Sequence, residues 1–346
     1  MIEFSGRGGA WLSGGGAESD VVVSSRIRLA RNLADHPFLP QADPGEKIEI
    51  AELIRPKVMS AVFAEGGWYL EMERIEDVDH LCLIERHLIS RELAAADGRR
   101  GVAFDRSEVS SVMVNEEDHV RMQVIMPGFE LDPAFEAMDR IDRRLEEELN
   151  FAFHPQFGYL TACPTNVGTG MRASVMLHLP ALVMTRQIEK VFQAISKISL
   201  AVRGAYGEGT HASGDFYQIS NQVSLGVSET GILENIKRVV PRIIAYERNV
   251  REHLLKENRL ALEDKVFRAY GILLNARSIT SEETVRLLSA VRLGVNTGLL
   301  PSLPVDRLNE LFILTQPGHL QKMEKKSLEP RERDHVRATF IRSRLA

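Results

Sequence analysis

The sequence predicts an α+β fold: an antiparallel sheet flanked by helices, followed by an all-α helical bundle. Three observations carry this. β-branched and alternating segments at 21–29 and 108–126 have the period of strands. Apolar residues recur at helical spacing between and after them, and beyond about residue 232 helical periodicity dominates to the end.

In chain order, residues 5–20 are rich in Gly and Ser, so residues 1–20 are expected to form a flexible arm, with order beginning near Val21. Val21–Val23 reads as a buried strand that runs into the alternating Ser24–Leu29. Helices are expected over 46–64 and 85–96. Residues 108–126 read as a hairpin closed by Asn115-Glu116-Glu117-Asp118, whose three adjacent acids repel one another unless cations face them. Asp132 as cap and Pro133 at the first position begin a helix with the stripe Phe135, Met138, Ile141, Leu145 and Leu149. A second helix is expected after Pro180, with Leu182, Val183, Val191, Phe192, Ile195 and Ile198 inward. The glycine-punctuated Arg203–Gly214 reads as a moving loop of the kind that covers sites. Helices are expected over 242–260, 263–275, 281–294, 305–315 and 329–345, with Thr280 and Glu283 forming a capping box. The expected division is a domain over 21–232 and a helical one over 233–346.

The chain has 346 residues, of which 44% are hydrophobic and 26% charged, an ordinary globular composition. A net charge of -5 argues against a surface field that gathers nucleic acid. Two distant cysteines, Cys82 and Cys163, make neither a disulfide framework nor a zinc cluster, which fits a reducing cytoplasm. The start shows no signal peptide, and no run has the length of a membrane span.

The most informative segment is Cys163-Pro164-Thr165-Asn166-Val167-Gly168-Thr169-Gly170-Met171-Arg172. Pro164 biases Cys163 toward extended backbone, and Asn166, Gly168 and Gly170 suit a tight turn. A lone thiol is most often a small buried apolar residue, so Cys163 needs partners before it means chemistry. Arg26, Arg28, Arg31, Arg121, Arg172 and Arg203 stand singly rather than in basic blocks, and arginine suits a bidentate grip on phosphate. The chain has no Gly-x-x-x-x-Gly-Lys-Ser/Thr loop, no His-Arg-Asp and no Asp-Phe-Gly. If it binds a nucleotide, arginines must do what backbone amides do in a P-loop.

Four blocks together resemble the ATP:guanido phosphotransferases, or phosphagen kinases: the Cys163–Thr169 turn with Met171-Arg172-Ala173-Ser174, Asn115–Arg121, Ser24-Ser25-Arg26-Ile27-Arg28, and Arg203-Gly204-Ala205-Tyr206-Gly207-Glu208. The resemblance implies a phosphagen-kinase-like catalytic domain that uses ATP, with Mg2+ held mainly by the nucleotide. It implies Glu117 as base and orienter, Glu208 as a second aligning carboxylate, and Cys163 as a thiolate whose pKa nearby positive charge lowers. ATP would be held by Ser24, Ser25, Arg26, Ile27, Arg28, Arg121, Arg172, Ala173, Ser174, Val175, Met176 and Arg203 through Glu208. His87 is either near the nucleotide or on a helix surface; His119 and His211 are expected to be structural, and Glu116 to shape its loop.

Metabolic members carry a helical domain before the Ser-x-Arg-x-Arg segment, whereas Ser24-Ser25-Arg26 comes almost at the start here and a helical region follows instead. That order resembles the protein-arginine kinases of the family, whose substrate is an arginine on another protein. Arg333, Asp334 and Arg337, in Arg333-Asp334-His335-Val336-Arg337-Ala338, are then expected to bind phosphoarginine. Further implications are a homodimer, marking of products for a Clp-type unfoldase and protease in stress response, and a zinc-bearing activator and a stress-gene repressor as partners. A kinase for free arginine or another small guanidino compound and a non-catalytic phosphoarginine-binding adapter remain open alternatives.

Overall fold

The computed structural model describes residues 8–204 and 213–345. Its framework is one antiparallel sheet in the order β2-β3-β4-β5-β1-β8-β10-β9. The strands are β1 (Val22–Arg31), β2 (Gly67–Glu71), β3 (Gly101–Asp105), β4 (Ser110–Val114), β5 (Val120–Pro127), β8 (Met171–His178), β9 (Leu200–Gly204) and β10 (Phe216–Asn221). A separate hairpin joins β6 (Phe153–His154) to β7 (Gly158–Tyr159). The central strand β1 pairs with β5 on one side and β8 on the other, which makes these three the floor on which the candidate site is built.

Period-two alternation divides that floor. Ile27, Leu29, Ala173 and Val175 fill the apolar core on one face. Helix α4 (Leu131–Glu146) lies there, burying Leu131, Ala134, Met138, Ile141 and Leu145, so the expected apolar stripe shifts slightly and Phe135 is only half-buried. Asp132 does not cap this helix; it lies inside the first turn, with its carboxylate 2.8 Å from Lys237. Helix α1 (Pro44–Ala61) is closed by a full capping box between Asp43 and Glu46.

Two expected helices are broken by residues in the left-handed region. The helix expected over 85–96 is instead α2 (Asp77–Glu85) and α3 (Arg91–Ala95), with His87 at φ 58 between them. The one after Pro180 divides into α5 (Pro180–Met184) and α6 (Ile188–Ser196), with Arg186 at φ 55. The Gly/Ser-rich start is also corrected, because within residues 8–20 Trp11 and Leu12 are buried in the main core. Arg292 donates to the carbonyl of Ser19, Asn296 to that of Asp20, and Asn309 to that of Leu12. Two large side chains and three clamped carbonyls outweigh the flexibility that the glycines suggest.

The C-terminal helices are α7 (Glu229–Glu257), α8 (Arg259–Asn275), α9 (Ser281–Asn296), α10 (Val305–Leu314), α11 (Pro317–Glu324) and α12 (Pro330–Leu345). Helix α7 runs unbroken through the boundary expected at 232/233, and one apolar core extends from Trp11 to Leu345. The expected capping box at α9 is half made: the Thr280 hydroxyl accepts from the Glu283 amide. Helix α11, which the periodicity did not reveal, packs on α2, and the Glu85 carboxylate accepts from the amides of Gly318 and His319 at its N-terminus.

Candidate active site

The sheet register assembles the site before any side chain is considered. Directly paired residues share a face, so Arg172, Arg28 and Gln123 form one row across β8, β1 and β5. Ser220, Ser174, Arg26 and Ile125 form the next, and Arg203, Gln218, Met176 and Ser24 the third. Four residues expected at the nucleotide fall on the opposite face. Ile27, Ala173 and Val175 are core residues, and the Ser25 hydroxyl is spent on the Gly128 carbonyl and the Glu130 amide. A contiguous motif cannot present every residue to one ligand when its backbone is extended.

Arg26 and Arg28 are held side by side with little compensating charge. Burial and Arg121 bring the Arg26 guanidinium down to about 10, against Glu116. Burial, Arg26, Arg121 and Arg172 push Arg28 well below the usual arginine range. Arg172 is lowered by burial, Arg203 and Arg121, and among the described residues its guanidinium reaches only the Ser220 hydroxyl, at 3.3–3.4 Å. The Nε atoms of Arg26 and Arg28 have no hydrogen-bond partner among the described residues. A concave group of arginines that depress one another fits a polyanion, whose charge reverses the repulsion.

Beside them lies a cavity of about 140 Å3 lined by Ser24, Arg26, His87, Ile125, Ser174, Met176 and Gln218. His87 therefore faces the site rather than a helix surface. Burial and Arg26 hold its imidazole down to about 3, so it is neutral, and its ring stands edge-on to Trp11 at 5.3 Å. Gln123, which the sequence reading missed, bonds Arg26 with its carbonyl and the His87 carbonyl with its amide. The available signal was its spacing of two from Arg121 on a strand.

The acidic turn resolves its own repulsion by dividing labour. Glu116 is buried and accepts from Ser90, from Arg121 at 2.6 Å and from the Glu117 amide at 2.8 Å. Burial opposes its charge, but Arg121 and these hydrogen bonds win and hold the carboxyl below its usual range. Glu117 is left with an accessible carboxylate 3.8 Å from Arg121, raised by burial against Arg121 and raised further by Asp118 and Glu116. Asp118 accepts from the Asn32 side chain at 2.6 Å and from the Ala162 amide at 2.7 Å, so it ties the Glu117 turn to the segment before Cys163. Asn32 and Asp118 had no assigned role from sequence, because their partners are remote along the chain. His119 is structural, with Nδ1 accepting from the Leu33 amide and Nε2 3.0 Å from the Pro37 carbonyl.

Cys163 is half-buried, in extended backbone, with Sγ 3.0 Å from the Thr165 hydroxyl. Its turn is pinned by the Ser224 hydroxyl, which donates to the carbonyls of Thr165 and Val167. Gly168 is required there: at φ 114, an added Cβ would lie 2.2 Å from the Ser224 carbonyl oxygen. Arg203 lies exposed on the edge strand β9, followed by Gly204 at its end. Ala205, Tyr206, Gly207, Glu208 and His211 lie outside the described residues.

The C-terminal triplet is not uniformly exposed. Arg337 is 1% exposed and donates to the carbonyls of Thr315 and Ile279 and to Asp334. The sequence treats it as an equal member of a binding trio; the structure makes it a strut that fixes Asp334 and joins α12 to the ends of α10 and the α8–α9 loop. Arg333 and Asp334 remain half-buried at the surface.

Residues 49–250 match the family described as ATP:guanido phosphotransferase, C-terminal catalytic domain, and residues 259–346 match the Protein-arginine kinase McsB C-terminal domain. The chain is 48% identical to a protein-arginine kinase of Halothermothrix orenii over 97% of its length and 96% of that protein's. It is 47% identical to one of Brevibacillus brevis, over 97% and 94%. Among solved structures it resembles the duplicated taurocyamine kinase of Schistosoma mansoni, with TM-score 0.60 and 26% identity, over 66% of this chain and 33% of that one. A lombricine kinase matches with TM-score 0.60 and 25% identity over 70% of both chains. By these matches the chain belongs to the ATP:guanido phosphotransferase family, in its protein-arginine kinase branch.

Proposed function

We propose that this chain transfers the γ-phosphoryl group of ATP to a guanidinium nitrogen of an arginine side chain in a protein. The observation that carries the reading is the sheet face on which Arg26, Arg28 and Arg172 stand together, next to Arg121, with the accessible carboxylate of Glu117 at its rim. The arginines cradle the phosphates and stabilise charge on the group in transfer. Ser24, Ser174 and Met176, with His87 and Gln218, shape the cavity beside them for the rest of the nucleotide. Glu117 accepts the proton the guanidinium must lose and aligns its nitrogen, and Cys163 bounds the guanidinium from the other turn; the resemblance gives Glu208, which lies outside the described residues, the part of a second aligning carboxylate. Arg203, on the edge strand, belongs with the residues the resemblance gives to the nucleotide, and the segment after Gly204 lies outside the described residues.

Mg2+ fits this site only on the nucleotide's own phosphates, where it neutralises charge, because Glu116 is locked to Arg121 and the floor is cationic. Protein substrates rather than free arginine are favoured by the names of the relatives that match over nearly the full length. On the C-terminal helix, Arg333 and Asp334, the latter held by Arg337, form the surface offered to phosphoarginine. A homodimer, cytoplasmic action, feedback from that surface, a zinc-bearing activator, a stress-gene repressor and delivery of products to a Clp-type unfoldase in stress response belong to the same proposal and rest on the resemblance. The test is incubation of the chain and MgATP with a protein or with free arginine, followed by assay of acid-labile phosphate on each. Efficient turnover of free arginine with no label on protein overturns the reading.

A further inference from the structure

A second cavity, of about 490 Å3, is bounded in part by the Cys163 turn. Gly168 and Thr169, from that turn, form part of its wall, and Cys163 is not among the residues that line it. Ser224 makes the two inseparable: its hydroxyl binds the Thr165 and Val167 carbonyls, and its carbonyl accepts from the Thr169 amide.

Two features of the groove point to a ligand. Its rim is apolar and exposed: Phe153 is 58% and Phe157 45% exposed on the β6–β7 hairpin, and Leu225 and Val227 are 48% and 42% exposed across from them. Grouped aromatic and aliphatic side chains left in water beside a cavity are the pattern of a surface that binds polypeptide. Its floor is anionic. Asp142 is matched by Arg31 at 2.6 Å and Asp139 by Arg143 at 2.9 Å, but Glu146 and Glu229 make no ion pair among the described residues. Glu146 accepts only the Tyr159 hydroxyl, at 3.1 Å. An apolar rim over two unmatched carboxylates is complementary to a chain segment that carries apolar side chains and a Lys or Arg.

We infer that this groove docks an extended segment of the polypeptide substrate, apolar and basic, lying to one side of the arginine presented at Glu117 and Cys163. The inference rests on the reading of the chain as a kinase for protein arginine. Docking through the flanking chain selects sequences with exposed apolar and basic residues together, which folded proteins bury and unfolded ones display.

The test compares two dye-labelled peptides of equal length, each with one arginine, one flanked by Phe, Leu and Lys and the other by Ser and Glu. The wild-type chain is set against the double variant Phe157→Ala, Glu146→Gln, neither residue being part of the site that handles the phosphoryl group. Fluorescence anisotropy should show the first peptide binding about 10-fold or more tighter to wild type, with the preference falling to about twofold in the variant. Turnover should follow, with KM for the first peptide rising in the variant and kcat and nucleotide affinity unchanged. Equal binding of both peptides by wild type, or an unchanged preference in the variant, overturns the docking site; so does a preference that disappears only because the variant changes its oligomeric state in sedimentation. Preferential binding that the variant loses supports the groove even where neither peptide is phosphorylated, and in that case it is the proposed phosphoryl transfer that fails.

Discussion

Glu117 owes its role to its neighbours. Glu116 takes the ion pair with Arg121 and the amide of Glu117 itself, which leaves the Glu117 carboxylate accessible, as the proposed role of base requires. Replacing Glu117 by Gln should lower kcat by about 10^2–10^4-fold while thermal stability stays near wild type, and a loss under tenfold would show that another group takes the proton. Because burial and the adjacent acids raise its pKa, activity should begin to fall, as pH drops from neutral, at a higher pH than an ordinary glutamate would give. A pH–kcat profile with an acid limb at or below the usual carboxylate range would contradict this. His87 makes a separate prediction about stability. Its folded value of about 3 lies below the unfolded 6.5, so its contribution is complete above 6.5 and is lost as pH falls toward 3. At about 1.36 kcal/mol per unit, that share is about 2 kcal/mol between pH 7 and 5, and denaturant midpoints of His87→Asn should be less sensitive to that change by about this amount. At this scale the sequence showed residue types but not directions: Arg26 and Arg28 were legible as a pair at spacing two, yet the same spacing sends Ser25 and Ile27 into the core.

At the scale of elements, the site depends on how turns are tied to one another. Gly168→Ala should displace the Cys163 turn, since the new Cβ would overlap the Ser224 carbonyl. Activity should fall by at least tenfold with nucleotide affinity retained, because the arginines lie on strands that the turn does not hold; parallel loss of both would mean the sheet itself is disturbed. In the C-terminal region, Arg337→Ala should cost about 3 kcal/mol by thermal or denaturant unfolding, as buried carbonyls and Asp334 lose their donor. Full stability combined with lost phosphoarginine binding would restore it to the role of a direct ligand. Strands β1, β4 and β5, the long helices and the acidic hairpin were readable because their periodicity is local, whereas β2, β3, β8, β9 and β10 were not read from the sequence. The breaks at His87 and Arg186, helix α11 and the burial of Trp11 were not, because left-handed backbone at non-glycine residues and docking onto distant elements leave no periodic trace.

Across the whole molecule, the larger of two apolar cores runs from the sheet into the C-terminal helices, and the Glu85 carboxylate at the start of α11 lies two residues before His87, which lines the cavity beside Arg26. Helical region and sheet therefore share packed apolar contacts across the expected division. No helix among the described residues is long and apolar enough to cross a membrane. The choice between a small guanidino compound and a protein was legible in sequence only through the order of motifs and the resemblance they carry; the groove beside the Cys163 turn adds a physical reason for polypeptide. Mass spectrometry under acid-sparing conditions, on a protein mixture treated with this chain and MgATP, tests that claim most directly. The account predicts phosphate on arginine side chains of proteins, lost in Glu117→Gln; phosphate on serine, threonine or tyrosine, or on free arginine alone, would contradict it.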